Sequence, residues 1–175
     1  RAMQAGALRA AALTGAVGAK RPAGSDDAGV LRDSYDWVRC HQANGLGTPG
    51  QFPPLAESEW VSEAEPGCII RAVLKGLQGP ITVKGQVYNN VMVPWNALSD
   101  DDIAAVITFV RQNRDWGNKA SAATPEQVKA VRVECERYAA LREKGAITGQ
   151  EYYRQASQCA TQSSLEAAAR ARLAD

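Results

Sequence analysis

The sequence is poor in side chains that do chemistry, and that poverty is informative. Its 175 residues hold one His, two Met and four Cys. The single imidazole, His41, directly follows a thiol in the run Trp37-Val38-Arg39-Cys40-His41. A Cys-His pair at the end of CxxCH is the attachment signal for haem c: the thiols add to the haem vinyl groups, and the adjacent His is carried under the iron. Here Trp37 stands where the first Cys of that signal would be, so the run offers one anchor and one nitrogen donor. Met92, in a loop with Asn89, Asn90, Pro94 and Trp95, offers a thioether, the usual second ligand of electron-transfer haem. A Cys anchor, a His donor and a Met donor in this chain order are more specific together than any of them alone.

The remaining composition narrows the choice. With 20 Lys+Arg against 19 Asp+Glu, the formal charge is +1, which argues against a nucleic-acid-binding surface. Four Cys without a second His or a pair of CxxC motifs cannot build a zinc finger. No apolar run approaches the ~20 residues of a membrane-spanning helix, so the sequence predicts no transmembrane segment of its own.

The elements that must position these residues divide the chain in three. Residues 1–26 form a basic arm, rich in Ala and Gly, with no acid before Asp26. Its composition resembles a mitochondrial presequence. Residues 27–118 form a compact domain. In it, a helix over 29–40 leads into Cys40-His41, and a loop rich in Gly and Pro follows. Ile69, Ile70, Val73 and Leu74 predict a helix over 67–75 that stops at Gly76. ITVKGQVY at 81–88 alternates around Lys84-Gly85 as a short hairpin. Ser99 caps a last helix whose first turn holds Asp100, Asp101 and Asp102.

Residues 119–175 add a linker and a C-terminal helical hairpin. Thr124, Pro125 and Gln127 start its first helix as a capping box, and Val128, Val131, Cys135 and Tyr138 mark one face. Lys144-Gly145 ends it. Thr148 and Glu151 cap a second helix with the stripe Tyr152, Ala156, Cys159 and Ser163. Antiparallel pairing of the two stripes brings Cys135 and Cys159 face to face, which predicts a disulfide between them. Cys68 then reads as a buried apolar thiol.

CHQANGLGTPGQFPPLAESEWV at 40–61 and GPITVKGQVYNNVMVPWNALSDDDIAAVITFVRQN at 79–113 resemble class I cytochrome c, in particular its small bacterial monohaem domains. The resemblance runs from Gly29 to about Asn118, and WGNKASAATPEQVKAV at 116–131 is similar to the tail of the same group. It implies a mainly α cytochrome c fold, helices around one haem with a short β-hairpin. Gly29 and Phe109 match the residues at which the family's terminal helices cross. Pro53 matches the proline whose carbonyl accepts the Nδ1 proton of the ligand His.

By resemblance, His41 and Met92 are the iron ligands and Cys40 carries haem c through one thioether. Trp60 and Trp95 wall the haem edge, and Tyr88 and Asn89 help to hold it. Single-Cys attachment is also found in euglenozoan mitochondrial cytochromes c. With the presequence-like arm, that points to the mitochondrial intermembrane space, peripheral to the inner membrane; the bacterial periplasm is the alternative.

The expected function is electron transfer, without substrate catalysis, because His/Met coordination leaves no open iron position. A near-neutral chain is poorly suited to electrostatic shuttling. The expected partners are therefore subunits of a membrane respiratory complex and a redox partner protein. The alternative is a relict cytochrome, a structural or assembly subunit of a respiratory complex with non-redox or absent haem.

Overall fold

A computed structural model of the chain describes residues 37–151. Helix α1 (Trp37–His41) contains the Cys-His pair, α2 is Gly67–Lys75, and β1 (Ile81–Val83) pairs antiparallel with β2 (Gln86–Tyr88). Helix α3 is Asp100–Gln112, a single 3₁₀ turn covers Arg114–Trp116, and α4 is Pro125–Glu143. The basic arm, most of the expected 29–40 helix and the body of the second C-terminal helix lie outside the described residues.

Local signals decide these elements. Helix α2 stops at Gly76, whose φ of +70° suits a residue without Cβ. In the hairpin, Ile81 faces Tyr88 and Val83 faces Gln86. Lys84 and Gly85 make the turn with φ of +50° and +75°, the two positive angles of a type I′ turn. At the start of α3, the Ser99 hydroxyl accepts from the Asp102 amide at 3.1 Å, and three acids face the positive end of the helix dipole. The capping box of α4 is complete: Gln127 N–H donates to Thr124 Oγ1, and Thr124 N–H donates to Gln127 Oε1. The second box also forms, between Thr148 and Glu151.

One main core joins α2, α3 and α4. Ile70, Ile107, Val110 and Val128 are completely buried in it. A smaller cluster under the hairpin holds Trp60, Val83 and Tyr88. Among the described residues, the polar side chains of Arg111 and Asn118 are also fully buried, with Ser58. The Arg111 guanidinium donates to the carbonyls of Val61, Glu63 and Ser121 at 2.7–2.8 Å. Asn118 accepts from the Glu57 amide and donates to the carbonyls of Leu55 and Val110. These two residues stitch the loop after α1 to the end of α3. Periodicity offers no sign of either, because both stand in polar stretches.

The C-terminal region corrects the expected cysteine pairing. The stripe on α4 packs against α2 and α3, with Val128 and Cys135 inside the main core. Cys135 is a buried free thiol, and burial pushes its pKa up against the opposing pull of Lys75 and Arg71. Cys68, expected as a thiol, is disulfide-bonded instead. Cys40 is the other free thiol of the described residues, and Cys159 lies outside them. The expectation rested on antiparallel pairing of the two stripes, which assumes that a helix's apolar stripe faces the next helix in the chain. This stripe faces helices earlier in the chain.

Candidate functional site

His41 ends α1 and enters a loop that folds back beneath it. Gly47 N–H donates to the His41 carbonyl at 3.0 Å, and Thr48 and Phe52 exchange backbone hydrogen bonds at 2.9 and 2.8 Å. The return strand brings the Pro53 carbonyl to the ring, where His41 Nδ1 lies 2.9 Å from it. A carbonyl only accepts, so the ring proton sits on Nδ1 and the lone pair on Nε2. Burial lowers the His41 pKa, and the Pro53 bond opposes that only in part. The imidazole is thus held neutral, in the tautomer a metal ligand needs.

Gly47 permits this arrangement. Its φ is +65°, and a Cβ there would meet the Phe52 carbonyl and lie 2.6 Å from the Pro53 oxygen. Gly50 has a similar φ of +74° but open space around it. Gly50→Ala should therefore cost only the ~1 kcal/mol of a left-handed non-glycine residue. Gly47→Ala adds a collision with backbone and should cost ~3 kcal/mol or more. Urea midpoints of the two variants measure the difference; equal losses would show that the Pro53 loop yields freely.

Met92 approaches from the other side of the sequence. Its backbone exchanges two hydrogen bonds with Leu77, each 3.0 Å, which ties the loop after β2 to the end of α2. Trp95 N–H donates to the Val73 carbonyl at 2.8 Å. Gly76 lies against the Met92 carbonyl so closely that a Cβ would collide with it.

His41 and Met92 both line one cleft of about 500 Å³, counting the part open to solvent. Apart from Ser58, its other walls are apolar, among them Pro53 and Leu55 from the loop, Ile69 and Val73 from α2, Trp60, and Val83 of the hairpin. The Trp60 indole N–H is satisfied by the Thr82 carbonyl at 3.1 Å, so the ring can face an apolar space. Among the described residues, no ionisable side chain other than His41 lines this cleft. One neutral imidazole, one thioether and apolar walls suit a flat macrocycle carrying its own four nitrogens. They do not suit a bare cation, which needs more donors.

Four expected site residues thus converge: His41, Pro53, Trp60 and Met92. Cys40 is half-buried beside His41 and is not part of the lining. Tyr88, Asn89 and Trp95 do not line the cleft either. Tyr88 is buried under the hairpin and its hydroxyl meets Gln86, Asn89 is exposed, and Trp95 packs on the main core. The lining residues of α2 and the hairpin, such as Ala72 and Ile81, were legible as apolar positions but not as a site. Nothing local distinguishes a core-facing from a cleft-facing side chain.

The cytochrome c family profile matches residues 38–114, which span the Cys-His pair, the Pro53 loop and Met92. Cytochrome c-552 of Thermus thermophilus is 42% identical over 101 residues, covering 53% of this chain and 76% of the relative. The chain belongs to the cytochrome c family. Another relative, the cytochrome c subunit of a quinone alcohol dehydrogenase from Gluconobacter oxydans, is 31% identical over 99 residues. That match covers 55% of this chain and 20% of the subunit. Cytochrome c domains bind haem c covalently and carry electrons; they are not enzymes in themselves. The helices and the two-stranded sheet described above are consistent with the cytochrome c fold. Among the described residues, no helix is long and apolar enough to cross a membrane.

Proposed function

We propose that this cytochrome c domain binds haem between His41 and Met92, anchors it through a single thioether to Cys40, and serves as a fixed electron-transfer unit of a larger oxidoreductase. The observation that carries the reading is the Pro53 carbonyl on His41 Nδ1, 2.9 Å away in an apolar cleft that Met92 also lines. Bound haem supplies a one-electron ferric/ferrous couple. The chain's own contribution is to keep the imidazole neutral and oriented, present a soft sulfur, and exclude water with apolar walls.

Trp37 in place of a first Cys supports one thioether rather than two. Cys68 is no substitute anchor, since it is disulfide-bonded. The near-neutral charge and the likeness to a dehydrogenase subunit support a bound unit over a free shuttle. The disulfide supports an oxidising compartment. The relatives named above are bacterial, which favours the periplasm over the mitochondrial intermembrane space.

A visible spectrum of the purified protein tests the reading. A Soret band, with a narrow α-band on reduction, is the expected result. The haem should resist extraction by acid acetone, and free extraction would remove the Cys40 thioether. A protein that matures without any Soret band would sink the electron-transfer reading and leave a structural subunit.

A further inference from the structure

Helix α4 begins at Pro125, beyond residue 114 where the cytochrome c family match ends, yet it reaches the segment that follows Met92. Arg132, one turn before the buried Cys135, directs all three guanidinium nitrogens at one short segment. Its Nε lies 2.7 Å from the Asp100 carboxylate, Nη1 donates to the Asn96 carbonyl at 2.7 Å, and Nη2 donates to the Leu98 carbonyl at 2.8 Å. Residues 96–99 are the second half of the loop that carries Met92, and Asp100 is the first residue of α3. The first half is held at Met92 itself by Leu77, and at Trp95 by Val73. Arg132 therefore supplies a third fastening, and it comes from α4, beyond the residues that the family profile matches.

A planar guanidinium that spends its fork on two carbonyls and a carboxylate fixes the orientation of a loop, as a flexible ammonium would not. Helix α4 is itself well seated. Val128 is completely buried, and Glu134 pairs with Arg71 of α2 at 3.0 Å. The fork thus transmits the rigidity of the helix core to the loop.

We propose that Arg132 is a positioning residue for Met92: through residues 96–100, it sets how readily the Met92 loop opens and its thioether yields to a competing ligand. This rests on the His41/Met92 ligation proposed above. Opening of the loop is a local event that need not unfold the domain. Removing three charge-assisted contacts should raise the population of the open form about tenfold or more.

The test uses the full haem-loaded chain in the ferric state, with imidazole as the competing ligand. In Arg132→Gln, imidazole should displace Met92 about tenfold faster than in the wild type, with Arg132→Lys intermediate. Amide hydrogen exchange at Trp95 and Leu98 should accelerate in parallel. Glu134→Gln loosens the same helix from α2 without touching the loop, and should leave the imidazole rate close to wild type. A wild-type rate in both Arg132 variants would overturn the proposal, as would equal acceleration by Glu134→Gln, which would mean general loosening. A wild-type protein lacking the charge-transfer band of Met-ligated ferric haem would instead overturn the ligation reading. Failure of the fastening alone leaves that band intact.

Discussion

Met92→Ala should lower the reduction potential by about a tenth of a volt or more, a modest share of the ~0.8 V that axial ligands command. The reason is the chemistry of the sulfur. A neutral thioether is a soft donor that favours ferrous over ferric iron. Alanine leaves that position to water or hydroxide, hard oxygen donors that favour the ferric state. No neighbouring side chain can readily take over, because the backbone at Met92 is tied on both its N–H and its carbonyl to Leu77. The cleft walls beside it are apolar.

The substitution should not unfold the domain. Met92 is only partly buried against the core, so truncation should cost less than the 2–5 kcal/mol typical of a fully buried Met→Ala change, or about 1–2 kcal/mol. Potentiometry on the haem-loaded variant, with the Met–iron charge-transfer band as a second readout, checks the expectation. An unchanged potential and a retained band would mean that Met92 is not the ligand.

The second large effect is on stability. Arg111→Met should cost the haem-free chain ~3–5 kcal/mol, a loss on the scale of breaking a buried charged network. Arg111 is fully buried and bonds the carbonyls of Val61, Glu63 and Ser121, with the Ser121 hydroxyl a further acceptor at 3.0 Å. Methionine fills most of the volume but supplies no N–H. It leaves at least two of those carbonyls inside the protein without a donor, at ~1–3 kcal/mol each.

The contrast with Arg71 sharpens the point. Arg71 pairs with a Glu134 carboxylate that is 36% exposed, and neutralising that pair should cost at most ~1 kcal/mol. Urea denaturation of Arg111→Met and Arg71→Gln measures both. A loss below ~1 kcal/mol at Arg111 would show that the 61–64 loop finds water when the guanidinium is gone. Because Val61 also lines the cleft, haem uptake by Arg111→Met should fall along with stability.

Much of this molecule is readable residue by residue. The limits of α2, the Lys84-Gly85 turn, the Ser99 cap and the Thr124 capping box are all set within four or five residues, by φ preferences and backbone hydrogen bonding. The core of the site is similarly local on one side. His41 and Pro53 are twelve residues apart, and the intervening loop closes through its own glycines and backbone bonds. Their partnership was legible through the family resemblance, together with Met92 and Trp60.

The rest depended on which distant surfaces meet. The residue pattern shows that α4 has an apolar stripe with Cys135 on it. That this stripe faces α2 and α3, with Cys135 a free thiol and Cys68 the bonded one, emerges only once the helices pack. Tyr88, Asn89 and Trp95 are close in sequence to Met92, yet none lines the cleft: Tyr88 packs with Trp60 and Val83, Asn89 is exposed, and Trp95 packs on the main core. Arg111, Asn118 and Arg132 show the same limit. Each is polar in a polar stretch, and its meaning comes from carbonyls 8 to 63 residues away. Local preferences act along the chain and are written in it. Partners across the fold are selected by burial, which a side chain acquires only when the core closes over it.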